Sequence, residues 1–129
     1  MRTALAALVL AAACARPPGP PPPSPSALIE TRWIMADGGG DAPTIEFSEN
    51  RAGGYAGCNR WFAQVNAIDP ALSFGGVGAT RRSCSPAVMD IERGFLAALE
   101  ATQTARLDGD VLILQDAAGV EQARFNRVR

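Results

Sequence analysis

The sequence predicts a mainly β fold, a small antiparallel β-barrel or half-barrel of about eight short strands with one packed helix near residues 86–101. Three observations point there. Short runs of alternating apolar and polar residues recur along residues 28–129, broken by glycine, proline, aspartate or asparagine. Asp108-Gly109, set between two such runs, is a two-residue hairpin signal. One stretch alone, opened by Ser85-Pro86, switches to helical spacing.

Ahead of that domain the chain reads as an address. Met1-Arg2 is a short positive region, and Thr3 to Ala13 is an apolar run of signal-peptide length, too short to cross a bilayer as a helix. The run ends in Ala11-Ala12-Ala13-Cys14, which resembles a bacterial lipobox with Leu10 one place early. Residues 1–13 are therefore expected to be a signal peptide, and Cys14 to carry lipid; cleavage after Ala13 without lipid is the alternative. Residues 14–27 complete a linker. Seven of the ten prolines fall within residues 17–25, a composition that forms an extended polyproline II spacer rising about 3.1 Å per residue. A stalk directly behind a lipid anchor makes the membrane a partner. The expected location is the cell envelope, on the periplasmic face of the outer membrane, with a secreted or soluble periplasmic protein as the alternative.

The domain itself spans residues 28–129. Ile29 to Met35 reads as the first strand, with Trp33 a core anchor, and Asp37 to Pro43 as a loop. Thr44 to Ser48 alternates cleanly, turning Ile45 and Phe47 inward. Glu49-Asn50 then leads into residues 51–62, which hold three glycines, three aromatics and Cys58, and around which the domain is organised. Tyr55, Trp61 and Phe62 are expected to supply aromatic bulk to the core. Phe62 to Ile68 forms a further strand and Asp69-Pro70 a turn. Ala71 to Phe74 puts Leu72 and Phe74 on one face, and Gly75 to Gly78 is expected to break it.

Ser85 suits a helix N-cap and Pro86 the first helical position, where its missing N–H costs nothing. Val88, Ile91, Phe95, Ala98 and Leu99 make the apolar stripe, with Asp90, Glu92 and Arg93 assigned to the opposite side. After the Asp108-Gly109 hairpin, Asp116 to Gly119 makes a second turn into a last strand from Val120 to Val128.

Composition narrows the chemistry. Twelve arginines and no lysine stand against thirteen acids; without Arg2 the balance is 11 − 13 = −2. No nucleic acid partner is expected, because phosphate binding needs a concentrated basic face. The absence of histidine excludes a Ser-His-Asp or Cys-His set within the chain and removes the commonest zinc and copper ligand. Neither a cofactor nor a catalytic or metal-ligating residue is expected. Asp37, Asp41, Glu46 and Glu49 are carboxylates close in sequence, but they fall in a loop and on an outward face and read as solvated surface. Three cysteines leave one over. With Cys14 lipidated, Cys58 and Cys84 remain as a disulfide, two buried thiols, or a metal or redox pair; export favours the disulfide.

The order of motifs resembles the META/HslJ-like domain family, small exported bacterial domains often found as lipoproteins. The resemblance covers about residues 28–129. It rests on Trp33, Ile45-Glu-Phe47, then Gly57-Cys58-Asn59-Arg60 followed by an aromatic, and on Thr80 with Cys84 four residues later. Pro86, Glu92, Phe95-Leu96, Leu99, Leu112-Ile-Leu114 and Phe125-Asn-Arg127 complete it. Arg82 stands where the family usually has an apolar residue, and the glycine usual soon after the aromatic is replaced by Ala63 or nearby residues. The resemblance implies a compact barrel-like domain with its two cysteines near each other, an envelope location, a heat-shock or stress association, and no established catalytic residues. The leading expectation is a non-enzymatic envelope lipoprotein domain that binds an unknown envelope protein or small ligand, or supports envelope integrity. A secreted binding or inhibitor module, directed at a protease or small ligand through Arg81 and Arg82, is the alternative.

Overall fold

The computed structural model describes residues 25–129 apart from residue 69. The signal segment, Cys14 and nearly all of the proline run lie outside the described residues. Eight strands follow one another around a single sheet: β1 Arg32–Met35, β2 Thr44–Ser48, β3 Arg51–Tyr55, β4 Arg60–Ile68, β5 Ala71–Ala79, β6 Thr104–Asp108, β7 Val111–Gln115 and β8 Glu121–Val128. Each is antiparallel to the next, and β8 returns to β1 with Trp33 opposite Arg127, so the sheet closes into a ring. The expected mainly β fold with one packed helix is what the chain forms.

The ring has one thin seam. β5 and β6 meet only at Ala71 and Thr104, helped by Leu72 N–H donating to Gln103 O at 3.0 Å. The connection between them is helix α1, Pro86–Ala101, which packs against β5, β7 and β8. The helix takes the place of a strand partner along the rest of β5. Its start is set by the expected cap, Ser85 Oγ accepting from Val88 N–H at 3.4 Å, with Pro86 in the first turn.

Phe95 drives the helix into the ring. Its ring meets Trp61 of β4 edge-on at 5.5 Å and Phe125 of β8 at 6.1 Å, and Trp61 in turn meets Phe74 of β5 at 6.0 Å. Such edge-to-face contacts add about 0.5–1.5 kcal/mol each beyond the area they bury. Ile45, Phe47, Leu72, Leu112 and Leu114 fill the remaining interior, and Ile113, between the two leucines of β7, is buried as well.

Several expectations need correction. The first strand begins at Arg32, not Ile29, because Thr31 bonds back to Leu28 O through both its N–H and its hydroxyl, and Glu30 takes φ 62°. That turn tucks Leu28 into the core. The glycines after Phe74 do not end β5; Gly76, at φ 58°, takes up a bulge, so that Phe62 pairs with Gly78 while Gln64 pairs with Gly75. Residues 51–55 are a strand in their own right, and the hairpin turn is Gly109-Asp110, with Asp108 opposite Val111. Of the three aromatics in residues 51–62, Trp61 alone is buried; Tyr55 is 53% and Phe62 57% exposed.

Truncation separates these roles. Phe95→Ala should cost about 3–5 kcal/mol in urea unfolding, as for a large aromatic lost from a core. Phe62→Ala should cost about 0.5 kcal/mol, as at a surface position.

Candidate functional site

The resemblance motif closes on a buried polar hub. A turn over Ala56–Asn59, in which Ala56 N–H donates to Asn59 O at 2.8 Å, links β3 to β4. Gly57, at φ 126°, lets this turn lie against α1; a Cβ there would stand 3.3 Å from Val88 O in a backbone conformation that other residues rarely adopt. Asn59 is buried and uses every hydrogen-bonding position of its side chain. Its Nδ2 donates to Glu92 Oε2 at 2.9 Å and to Arg82 O at 3.1 Å. Its Oδ1 accepts from Thr80 Oγ1 at 3.1 Å and from Arg82 N–H at 2.5 Å. Its backbone N–H donates to Glu92 Oε1 at 2.7 Å. Beside this hub Cys58 and Cys84 are joined as a disulfide, with their Cα atoms 5.9 Å apart.

Glu92, expected on the side of α1 opposite the apolar stripe, is instead buried, 5% exposed, and both its oxygens accept from Asn59. Its position in the series Val88, Glu92, Phe95, Leu99 already carries the core-facing spacing. Gly57, Cys58, Asn59, Thr80 and Cys84 therefore come together. Arg60 adjoins them through its backbone, donating from N–H to Thr80 Oγ1 at 3.1 Å. Arg82 joins through its main chain only, leaving its side chain, like that of Arg81, at the surface.

Outward from the hub lies a groove of about 470 Å³ across β2, β3 and β4. Its floor is Gly53, which faces out because Ala52 faces in. Gly53 pairs with Glu46 on one side and Phe62 on the other. Phe62 lies over Gly78 of β5, where an added Cβ would come 2.5 Å from its ring. Tyr55 and Arg51 stand at either end of β3, and the Arg60 guanidinium lies 5.7 Å from the Tyr55 ring. Beneath them Trp61 Nε1–H donates to Thr44 O at 2.9 Å. The result is two exposed aromatics and two arginines around a patch of bare backbone.

The carboxylates remain where the alternation put them. Asp37, Asp41, Glu46 and Glu49 are all exposed, and Glu46, at the groove, pairs with Arg32 at 2.9 Å. On β8 the hydrogen bond from Arg124 holds the Glu121 carboxyl below the usual range, but this pair is open to solvent. Among the described residues no group of three or more histidine, cysteine, aspartate or glutamate side chains could hold a metal ion, and no helix is long and apolar enough to cross a membrane.

The family model described as META domain matches residues 27–129, which takes in every strand, the helix and the hub. The chain belongs to the META domain family. The META domain here is also similar to two solved structures. One is an NMR structure of a protein from Burkholderia xenovorans, with a TM-score of 0.68 and 22% identity over 92% of this chain and 99% of that one. The other, also an NMR structure, has a TM-score of 0.63 and 20% identity over 80% and 93% of the two chains. At these identities the likeness is one of fold. No curated protein matches the chain.

The hub generates two expectations for the META domain. Glu92→Gln turns an acceptor into an N–H₂ group that faces an N–H donor, and should lower stability by about 1–3 kcal/mol in chemical denaturation. Reducing the Cys58–Cys84 bond removes the closure of the 25 residues between them, and should cost about 3–4 kcal/mol in a thermal melt with and without reductant.

Proposed function

We propose that this META domain is a non-enzymatic, lipid-anchored envelope domain that holds a partner protein on its β2–β4 groove. The observation that carries the reading is the exposure of Tyr55 and Phe62 beside Arg51 and Arg60. Aromatic and arginine side chains dominate binding energy at protein interfaces, and glycine floors let a partner approach the backbone. The disulfide supports an oxidising compartment. Asn59 and Glu92, the buried groups of the motif, are bonded to each other and to backbone, which suits a structural duty. Anchoring through Cys14 at the periplasmic face of the outer membrane, and a stress-linked role in envelope integrity, complete the reading.

A second reading has its own support. The disulfide and the Arg82 main-chain bonds to Asn59 hold residues 80–84 in one shape while the side chains of Arg81 and Arg82 stay exposed. A preorganised loop of this kind loses little freedom on binding and suits a secreted inhibitor or small-ligand module.

Mass spectrometry of the mature protein taken from membranes should find lipid on an N-terminal Cys14; a free Ala15 or Cys14 terminus on soluble protein would count against anchoring. Crosslinking in intact envelopes should give a defined adduct that the double change Tyr55→Ala, Phe62→Ala weakens at least about tenfold, the scale of a 1.4 kcal/mol loss. Loss of the adduct on Arg81→Ala, Arg82→Ala instead would transfer the site to the loop.

A further inference from the structure

We propose that the Asn59 hub sets Arg60, Arg81 and Arg82 on its outer side as one anion-binding surface, and that the partner held on the β2–β4 groove meets it with an acidic segment. This names the chemistry of the partner and rests on the groove being its site.

One network fixes the three arginines. Arg60 N–H donates to Thr80 Oγ1 at 3.1 Å, and that hydroxyl donates in turn to Asn59 Oδ1 at 3.1 Å. Thr80 N–H donates to Arg60 O at 2.9 Å, so these two main chains lie side by side with Arg81 next in line. Asn59 holds Arg82 through both its N–H and its carbonyl, and the Cys58–Cys84 bond closes the same loop. None of these bonds uses an arginine side chain, and all three residues are exposed. The Arg60 guanidinium is placed as well. It lies 5.7 Å from the centroid of the Tyr55 ring, which takes up one face of its plane and leaves its N–H edge for a carboxylate.

Charge identifies the ligand. Residues 28–129 carry ten arginines against thirteen acids, a balance of 10 − 13 = −3. Four ion pairs form among the described residues, and they use Arg32, Arg93, Arg124 and Arg129. Six arginines are left without such a pair among the described residues. Four of them are Arg51 and Arg60 in the groove and Arg81 and Arg82 beside it. Glu46, the carboxylate in the groove lining, is taken by Arg32 at 2.9 Å. A domain with acids in excess thus leaves cations unneutralised here, at a cost in mutual repulsion that an anionic partner removes. Carboxylates suit the task because guanidinium groups bind them bidentately.

Position favours a protein over lipid headgroups as the source of those carboxylates or other anions. Leu28 and Ile29 stand against Ser48 and Asn50, so the chain enters the domain at the Arg51 end of β3. Tyr55 and Arg60 stand at the other end, four residue steps or about 14 Å along the strand. Attraction to a charged surface fades over about 8 Å at physiological salt. A membrane on the side of the anchor is therefore too far from these arginines, whereas a chain lying along Gly53 meets Arg51 at one end and the arginine surface at the other.

The test uses residues 14–129 with Cys14→Ser, which contain the whole family match and every described residue. This chain is titrated with deca-glutamate and followed by amide chemical shifts. Saturable shifts should appear at Tyr55, Arg60, Arg81 and Arg82 and not in β7, and the affinity should fall at least about tenfold between about 0.05 M and about 0.5 M salt. The double change Arg81→Glu, Arg82→Glu should abolish them; both residues hold the loop by main chain alone, so unchanged β7 amides will show the fold intact. Arg106→Glu, on β6, should leave the affinity as it was. Equal binding by the double variant, or equal binding of deca-glutamine by the parent, overturns the proposal. Arginine-dependent binding to phosphatidylglycerol vesicles without binding to deca-glutamate also overturns it, in favour of lipid. In intact envelopes the charge reversal should weaken the adduct at least about tenfold, as the aromatic changes do. An adduct lost with Tyr55 and Phe62 but indifferent to the reversal removes the acidic partner alone, and glutamate binding without any adduct removes the partner site alone.

Discussion

A single buried amide holds this domain closed. Asn59 ties three stretches of chain that are far apart in sequence: its own turn between β3 and β4, the loop that leaves β5, and the middle of α1 at Glu92. These are the elements gathered where β5 has lost its strand partner. A saturated buried network is costly to break at any one point, because each deletion strands a neighbour without its hydrogen bond. The disulfide acts on two of these three segments, the β3–β4 turn and the loop that leaves β5, by a separate route, restricting the unfolded chain by covalent closure. The Gly-Cys-Asn-Arg element is thus a device for docking a helix onto an incomplete sheet.

With the hub in place, the geometry of the helix follows. Its first turn is held against Gly57, and its last leads directly to Thr104 opposite Ala71. Between those ends it runs alongside β5, and Phe95 reaches across to aromatics on β4 and β8. An edge strand left open would offer unpaired backbone to other chains. Here the exposed part of that edge is covered by the chain's own crossover.

Features governed by a few neighbouring residues were legible in the sequence. The helix limits, the Ile45 and Phe47 faces and the last hairpin, β7 to β8, all depend on local periodicity, capping and turn chemistry. What escaped depended on register. Whether Phe62 points in or out is decided by the parity set at Ala52 and Ala63, and by the bulge at Gly76 that aligns it with Gly78. Part of it lies in β4 itself, where Phe62 shares a face with Gln64 and Asn66, but its alignment with Gly53 and Gly78 does not. The groove, made by three strands with glycine at the crossing, was invisible for the same reason. Glu92 is a different case: its spacing suits the core, but Asn59, the partner that lets a carboxylate sit there, lies 33 residues away.

Where a ligand could sit is constrained by how completely the ring is filled. Trp33, Trp61, Phe95 and Phe125 are at most 2% exposed and occupy the space that wider barrels leave for cargo. What is left is the outer face, where most outward positions are polar or charged. The β2–β4 face departs from that pattern because Gly53 and Gly78 remove side chains on both sides of Phe62. Removing them exposes backbone and aromatic surface together, and such a surface gains stability from whatever covers it.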